Sequence, residues 1–235
     1  VKKIYLYEES SFLKSLQKKN IQNKKVKWIK NFNNINNGPA IFFGNEFFDA
    51  IPIKQFKNKK SILFEKHYTF DENKEIKEVF RKASKKDAVN INSYRSLKKL
   101  KFIEFPKYGF SELKKVIKKI LKLKGCLLLI DYGYLKPNNQ NTLQSVINHK
   151  KNYLLNNLGK ADVTSHVNFK LLSEFFLKNN LKIKKTLPQQ RFLKNMGIIE
   201  RAEIISKKIK FRDRSNLYLR LKRILSSKLM GELFK

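Results

Sequence analysis

Apolar side chains recur in short runs and at regular intervals along the chain, and they predict strands that alternate with helices. Residues 3–7 and 26–29 have the composition of strands. Residues 40–44 and 126–130 are continuous apolar runs, which are typical of buried parallel strands. Residues 55–70 predict a β-hairpin that turns at 58–60.

Apolar side chains three and four residues apart predict three helices. Ser10 or Ser11 begins the first helix. Ser111 begins the second helix and Gly125 ends it, while the third spans residues 216–233.

The remaining segments carry weaker patterns. Residues 71–100 are polar without a clear period, 137–141 form a Pro/Asn loop, and mostly helical and polar segments follow to residue 180. Residues 181–185 predict a short strand. Because strands alternate with helices and two strands are apolar on both faces, the chain predicts an α/β domain with a parallel sheet.

Acidic side chains follow three of the predicted strands. Glu8 ends the first strand, Glu46 and Asp49 follow the run at 40–44, and Asp131 follows the run at 126–130. Ligands of open parallel sheets bind beyond the carboxyl ends of the strands. These acids are therefore expected at one edge of the sheet, as a candidate site.

The segment 45–49 is the sharpest local signal. Asn45, Glu46 and Asp49 follow an apolar strand directly, with two phenylalanines between the acids. The carboxylates could hold a cation or accept a proton, while the aromatic pair excludes water. Alternatively, Asp49 caps a helix and the phenylalanines belong to the core, so the residues alone leave both interpretations open.

Glu8 and the turn after Asp131 have similar alternatives. Glu8 could accept hydrogen bonds from both ribose hydroxyls of a nucleotide-type ligand, or it could simply end an exposed strand. Tyr132 and Gly133 continue from Asp131 as a turn, and Gly133 is expected to adopt a positive φ. Turn chemistry alone would explain that segment.

Metal and nucleophile motifs are missing from the sequence. Three scattered histidines and the single Cys126 lack the spacing of metal ligands, so no metal is expected. No Gly-rich phosphate loop, Gly-x-Ser-x-Gly motif or Cys–His pair supports a hydrolase or an NTPase. One cysteine also excludes a disulfide framework and is typical of a reducing compartment.

Charge complicates this picture. The 235 residues include 53 Lys and Arg against 19 Asp and Glu, a net charge of +34, which would attract nucleic acid, acidic proteins or anionic membranes. Only eight of the basic residues are arginine, and an excess of Lys with Asn, Ile and Phe accompanies A/T-rich coding DNA. We therefore expect a solvated basic surface without a nucleic-acid partner, although residues 207–223 could contact nucleic acid.

No apolar run approaches the roughly 18 residues of a membrane span.

Seven segments, taken together, carry a family resemblance. They are residues 7–13 with Gln17, 45–52 with 55–56, 129–134, 142–144 with His149, 159–169, 190–193 with 196–198, and 230–235. The most specific blocks are Asn-Glu-Phe-Phe-Asp-Ala-Ile-Pro at 45–52 and Asp-Tyr-Gly-Tyr at 131–134. In this order they resemble the MidA-like S-adenosylmethionine-dependent methyltransferases, which include the mitochondrial complex I assembly factor that methylates a protein arginine.

The chain departs from the family pattern in two places. The family's Gly-rich loop, which holds the methionine part of the cofactor, would lie upstream of Glu8. Since the chain starts at Val1 in what corresponds to the family's second strand, we expect an N-terminally truncated piece with poor stability and weak cofactor binding. Asn168 stands where the family more often has an acid.

The resemblance implies an α/β, Rossmann-like, seven-stranded methyltransferase fold, here without its first strand and Gly-rich loop. Residues 1–235 would form one partial methyltransferase domain, with a family-specific insertion at approximately 135–180. The implied cofactor is S-adenosyl-L-methionine, with Glu8 on its ribose. Asn45, Glu46 and Asp49 would be the catalytic residues beside the transferred methyl group. The substrate side would include Asp131, Tyr132, His149 and His166.

The implied activity is methylation of a protein arginine, with a subunit of respiratory complex I (NADH dehydrogenase) or its bacterial counterpart as the substrate. Carboxylates suit this substrate because they hold the guanidinium fork through bidentate hydrogen bonds. Two other functions stay open: a non-catalytic assembly or scaffold protein that keeps the fold, and a basic RNA-binding methyltransferase. The expected location is the bacterial cytoplasm, or the mitochondrial matrix in a eukaryote.

Overall fold

A computed structural model describes all 235 residues, Val1–Lys235. Its strands are β1 (Ile4–Tyr7), β2 (Val26–Ile29), β3 (Ile41–Asn45), β4 (Lys54–Lys59), β5 (Ile62–Phe70), β6 (Ile76–Lys82), β7 (Phe102–Phe105), β8 (Cys126–Ile130), β9 (Gly133–Tyr134), β10 (Gln144–Ile147), β11 (Lys150–Asn152), β12 (Asp162–Thr164) and β13 (Val167–Asn168). Its helices are α1 (Ser11–Asn20), α2 (Lys85–Asn92), α3 (Lys107–Leu123), α4 (Phe169–Lys178), α5 (Gln189–Asn195), α6 (Ile198–Lys208), α7 (Phe211–Leu225) and α8 (Met230–Leu233).

The chain divides into two compact units. The first contains Val1–Phe42 and Leu113–Leu127, and the second contains Phe43–Glu112 and Leu128–Lys235. Two single-turn 3-10 helices, Phe32–Asn34 and Arg95–Leu97, complete the elements. The division into one domain with an insertion stays a prediction.

The first unit confirms its predicted elements. Strands β1 and β2 pair in parallel, with Ile4 opposite Val26. The side chain of Ser10 accepts a hydrogen bond from the amide of Leu13, so Ser10 is the N-cap of α1. The core of this unit is small, and its buried members are Ile29, Ile35 and Leu123.

Strands β3 and β8 form where the apolar runs predicted them, but the expectation of burial is wrong for both, because neither strand contains a buried residue. Ile41 is 78% exposed and Phe43 is 63% exposed. The amide of Cys126 donates to the carbonyl of Ala40 and the amide of Glu46 to that of Ile130, so the two strands run in the same direction. They form a sheet of only two strands, and β3 therefore lacks a second neighbouring strand.

An antiparallel sheet with the order β6-β5-β4-β7 lies in the second unit. The predicted hairpin is present as β4 and β5, but it turns at Lys60 and Ser61, whose φ angles of 49° and 68° allow the tight turn. The polar segment 71–100 contains β6 and α2, which its sequence pattern did not reveal. Strand β6 forms by pairing with β5, although its own sequence has no clear period.

Helix α3 begins four residues earlier than predicted. It starts at Lys107, directly after Pro106, and Ser111 lies inside it rather than at its cap. The amide of Phe110 donates to the carbonyl of Pro106. Gly109 lets this first turn approach its neighbours, because a Cβ at this position would lie 2.9 Å from a methyl carbon of Ile51.

Aromatic rings fill the core of the second unit. Phe110 stacks on Phe175 at a centroid distance of 4.0 Å and meets Phe105 edge-on at 5.5 Å. Phe56, Phe105 and Phe175 are almost completely buried. These contacts hold the first turn of α3, helix α4 and the antiparallel sheet together.

The second half of the chain differs most from expectation. The residues from 142 to 180, expected to be mostly helical and polar segments, contain the three-stranded sheet β11-β10-β12 and a single helix, α4. Residues 181–185 form no strand. The predicted final helix at 216–233 is two helices, α7 and α8, because the chain leaves the helical conformation at Ser226 (φ −69°, ψ 132°).

Candidate active site

The carboxylate of Asp131 holds the turn that follows β3. Asp131 is 2% exposed. Its Oδ2 accepts hydrogen bonds from the amides of Phe48 (2.8 Å) and Asp49 (3.2 Å), and its Oδ1 accepts one from the amide of Tyr132 (2.9 Å). Two of the predicted strand ends therefore meet, as the acids at the ends of these strands indicated.

Asp49 lies beside Asp131 and Tyr132, and only one of its two carboxylate oxygens accepts a hydrogen bond. It is 5% exposed, and its Oδ2 accepts a hydrogen bond from the hydroxyl of Tyr132. Its Oδ1 is buried without a hydrogen-bond partner. No helix begins at Asp49, so the alternative of an N-cap is wrong. A buried free carboxylate oxygen is costly unless a donor or cation reaches it.

Burial shifts the titration of the two residues that contact Asp49. It raises the pKa of Asp131 to about 6, and the negative charge of Asp49 adds to this increase, while hydrogen bonds from three backbone amides oppose it. Burial also raises the pKa of Tyr132, and the hydrogen bond to Asp49 raises it further. Tyr132 is therefore a neutral donor at neutral pH.

Asn45 and Glu46 lie on the exposed side of the same turn. Glu46 has a φ of 46°, in the left-handed region that non-glycine residues rarely adopt. Its amide donates to the carbonyl of Ile130 at 2.9 Å, so this turn begins directly at the end of the paired strands. Strained residues of this kind cluster at functional sites, and the side chain of Glu46 is accessible to a ligand.

The two predicted histidines have different positions. His166 is half-buried, its ring meets Tyr132 edge-on at 5.5 Å, and its amide donates to Oγ1 of Thr142 at 3.0 Å. Burial lowers the pKa of His166, although the charge of Glu104 opposes this. His149 is exposed at the tip of the β10–β11 hairpin with a φ of 61°, so the structure does not bring it to the cluster.

Gly133 serves close packing rather than an unusual backbone angle. The expected positive φ is wrong, because Gly133 is not among the residues with positive φ. A Cβ at this position would lie 2.0 Å from the carbonyl oxygen of Val167. The glycine thus allows β9 to pair in parallel with β13, which brings the segment of His166 beside Tyr132.

Glu104 is a buried acid that the sequence pattern did not single out. It is 8% exposed, and it accepts hydrogen bonds from the side chain of Gln55, the amide and hydroxyl of Thr142, and the amide of Leu143. Thr142 in turn accepts from the amide of His166. The available signal was an acid in the otherwise apolar run of β7.

A small cavity lies beside this network. Its volume is about 20 Å³, enough for about one water molecule. It is lined by residues that include Phe48, Glu104, Tyr134, His166, Val167 and Asn168. Asn168 caps α4 by accepting from the amide of Leu171 at 3.0 Å, so it has a structural role.

The backbone of Asp131 is paired with the last residue of the chain. The amide of Asp131 donates to the carbonyl of Lys235 at 3.1 Å, and the amide of Lys235 donates back at 2.8 Å. The ring of Phe234 contacts that of Tyr132 at 5.6 Å. The final residues therefore support the cluster from one side.

The carboxylate of Glu8 accepts two hydrogen bonds from within the first unit. Its Oε1 accepts from the amide of Ser10 at 2.9 Å, and its Oε2 accepts from Nε2 of Gln17 at 3.3 Å. Gln17 is fixed in turn by Nε1 of Trp28, which donates to it at 2.9 Å. Each carboxylate oxygen can still accept another hydrogen bond.

Two other kinds of site are missing. No group of three or more His, Cys, Asp or Glu residues is arranged to hold a metal ion. None of the helices combines the length and the apolar character needed to cross a membrane.

Comparison with known proteins identifies a family. Residues 2–186 match a family described as "Putative S-adenosyl-L-methionine-dependent methyltransferase". The chain is 28% identical over 188 residues to "Protein arginine methyltransferase NDUFAF7 homolog, mitochondrial" of Caenorhabditis elegans, which covers 75% of this chain and 42% of that protein. It is 23% identical over 210 residues to the Danio rerio protein named "Protein arginine methyltransferase NDUFAF7, mitochondrial", covering 89% and 49%. The chain spans about half the length of these relatives.

Solved structures show the same fold. A Burkholderia thailandensis protein bound to S-adenosyl-homocysteine superposes with a TM-score of 0.80 at 19% identity, covering 100% of this chain and 62% of that chain. A second Burkholderia thailandensis structure has a TM-score of 0.81 at 18% identity and covers 65% of its chain. The predicted α/β, Rossmann-like methyltransferase fold is confirmed, whereas the count of seven strands stays a prediction.

Proposed function

We propose that this protein methylates a protein substrate at arginine, since the chain belongs to the S-adenosyl-L-methionine-dependent methyltransferase family that matches residues 2–186. The observation that carries the proposal is the turn after β3. It presents Asn45 and Glu46 to solvent and buries Asp49, with one free oxygen, against Tyr132. Relatives named as protein arginine methyltransferases support the choice of arginine.

Glu8 is the proposed contact to the cofactor. Its carboxylate would accept hydrogen bonds from the two ribose hydroxyls, while Ser10 and Gln17 hold it in place. Bound S-adenosylmethionine supplies an electrophilic methyl group. The protein has to supply an oriented nucleophile and a dry environment.

Glu46 and Asn45 are the proposed contacts to the substrate. A carboxylate holds a guanidinium by two parallel hydrogen bonds, and this fixes the direction of the attacking nitrogen. The methylated nitrogen must lose a proton, and a nearby carboxylate favours that loss. Because Glu46 is exposed and conformationally strained, it suits this task better than the buried Asp49.

Asp49, Asp131 and Tyr132 are proposed as residues that position the turn. Asp131 fixes the backbone at 48–49, and Tyr132 fixes the Asp49 carboxylate. The Oδ1 of Asp49 has no hydrogen-bond partner and lies three residues after Glu46 in the sequence. Its negative charge would favour binding of a cationic side chain. His166 borders the same cluster through Tyr132 and is proposed for the substrate side.

The family resemblance extends this proposal to a partner. The substrate would be a subunit of respiratory complex I or its bacterial counterpart. The location would be the bacterial cytoplasm, or the mitochondrial matrix in a eukaryote. The alternative is a protein that keeps the methyltransferase fold without activity and acts as an assembly or scaffold factor.

The test is methyl transfer from radiolabelled S-adenosylmethionine to isolated NADH dehydrogenase subunits, using the complete gene product. We expect label in methylarginine after acid hydrolysis, and at least a hundred-fold loss with Glu46→Gln. The control is Glu72→Gln, which changes an exposed acid in the β5–β6 turn. Label in another residue type would refute arginine as the target. Absence of cofactor binding would refute catalysis and favour the scaffold.

A further inference from the structure

Arginine is concentrated in one helix. Only eight of the 53 basic residues are arginine, yet four of these eight lie in α7, which contains a single lysine. They are Arg212, Arg214, Arg220 and Arg223. A bias towards lysine that acted uniformly along the chain would not produce one helix with more arginine than lysine. The helix also lies beyond residue 186, where the match to the methyltransferase family ends.

Helix α7 presents most of its surface to solvent. Of its fifteen residues only Leu225 is buried, on the side that packs against α5, α6 and α8. At 3.6 residues per turn, Arg212, Leu219 and Arg223 fall on one stripe, which is exposed. Lys222 lies on the neighbouring stripe with Phe211.

Apolar side chains are exposed among these cations. Phe211 is 84% exposed and Leu219 is 64% exposed, and Tyr218 at the edge of the same surface is 47% exposed. Asp213 is the only acid in the helix, and no arginine of α7 is paired with a carboxylate. The outward face of α7 is therefore both cationic and partly apolar.

We propose that the outward face of α7 is a peripheral docking site for an anionic phospholipid surface. Arginine binds phosphate through a planar fork and is less strongly hydrated than lysine, which favours contact with lipid phosphates. Phe211 and Leu219 would enter the boundary between head groups and acyl chains, where aromatic and aliphatic side chains lose contact with water. The complementary charge comes from the lipid head groups.

The shape and composition of the helix favour a membrane over RNA. Proteins that bind single-stranded nucleic acid place bases on aromatic rings along a basic groove. Helix α7 instead offers the face of one helix and not a groove, and its apolar residue Leu219 is aliphatic and gains nothing from base stacking. An exposed helix that combines arginine with Phe and Leu corresponds to interfacial membrane helices.

The experiment is co-flotation of the chain with vesicles of phosphatidylcholine, with or without one quarter phosphatidylglycerol. We expect binding only to the anionic vesicles. Arg212→Ser with Arg220→Ser and Arg223→Ser should weaken it at least ten-fold, and Phe211→Ser with Leu219→Ser at least three-fold. The matched control replaces Lys18, Lys19 and Lys114, which are exposed lysines on α1 and α3, by serine and should change binding less than two-fold. Circular dichroism checks that all variants melt as the parent chain does.

Three results would overturn the proposal. Equal losses in the arginine variant and the lysine control would mean that net charge alone drives binding. Failure of the parent chain to float with anionic vesicles would exclude the lipid surface. Displacement of the chain from vesicles by stoichiometric single-stranded RNA, with RNA binding that depends on the same arginines, would assign the face to nucleic acid.

Discussion

The hydroxyl of Tyr132 donates a hydrogen bond to Oδ2 of Asp49, although the two residues are 83 positions apart in the chain. Asp131 adds a second connection between the same segments, because its carboxylate accepts from the amides of Phe48 and Asp49. Together these bonds join the ends of β3 and β8. These buried hydrogen bonds therefore fix the turn that carries Glu46.

Replacing Tyr132 by phenylalanine should therefore destabilise the protein. The buried carboxylate of Asp49 would lose its only side-chain donor, and such a loss costs about 1–3 kcal/mol. Chemical denaturation measures the effect. Tyr153→Phe is the matched control, because Tyr153 is 81% exposed and its change should stay within about 0.5 kcal/mol. Equal losses in the two variants would contradict a specific role for the Tyr132 hydroxyl.

The free energy of unfolding should depend on pH because of the titration of Asp131. Since folding raises the pKa of this carboxyl group from 3.8 to about 6, the folded state binds its proton more tightly than the unfolded state. The stabilising contribution is complete below about pH 4 and is lost as the pH rises through 6. Asp131→Asn removes this titration but also replaces one of the two acceptor oxygens with an NH2 donor.

Urea denaturation at pH 4.5 and pH 7 separates these two effects of Asp131→Asn. The loss of one acceptor oxygen is present at both pH values, whereas the titration of Asp131 affects only the parent chain. We expect the variant to be destabilised relative to the parent more strongly at pH 4.5 than at pH 7. A difference that grows with pH would show that folding lowers the pKa of Asp131 instead of raising it.

Two glycines provide a test of close packing against backbone strain. Gly133→Ala would place a Cβ 2.0 Å from the carbonyl of Val167, so β9 and β13 must separate, and we expect a loss of about 3 kcal/mol or more. Gly159→Ala meets nothing within 4 Å, and only its φ of +79° opposes alanine, at about 1–2 kcal/mol. Thermal denaturation compares them. A larger effect at Gly159 would contradict the packing role of Gly133.

Glu8→Gln should weaken binding of S-adenosyl-homocysteine. Glutamine retains one acceptor oxygen and loses the charge, and hydrogen bonds to a charged group contribute about 1.5–3 kcal/mol, or roughly ten- to hundred-fold in affinity. Isothermal titration calorimetry on the complete gene product measures this change, with Glu72→Gln as the control. Unchanged affinity would remove Glu8 from the cofactor site.

The sequence predicted the elements whose order is local. The strands β1, β2, β3 and β8 lie where their apolar residues indicated, and Ser10 caps α1 as expected. The cluster of Asp49 and Asp131 also followed from the rule that strand ends share a sheet edge. These predictions succeed because side-chain periodicity and capping depend on near neighbours.

Features that depend on distant contacts were not predictable in the same way. Strand β6 is ordered by pairing with β5, and Glu104 is stabilised by Gln55 and Thr142, which lie 49 and 38 residues away. The packing role of Gly133 arises only when Val167 is placed against it. A single sequence contains these residues but not their pairing.

The reciprocal bonds between Asp131 and Lys235 also set an order in time. During translation, the ribosome makes Asp131 long before it makes Lys235, and the intervening synthesis takes roughly 5–20 s at usual elongation rates. Until then the backbone amide and carbonyl of Asp131 have no partner from this segment. The backbone of Asp131 therefore gains this support only after residue 235 has been made.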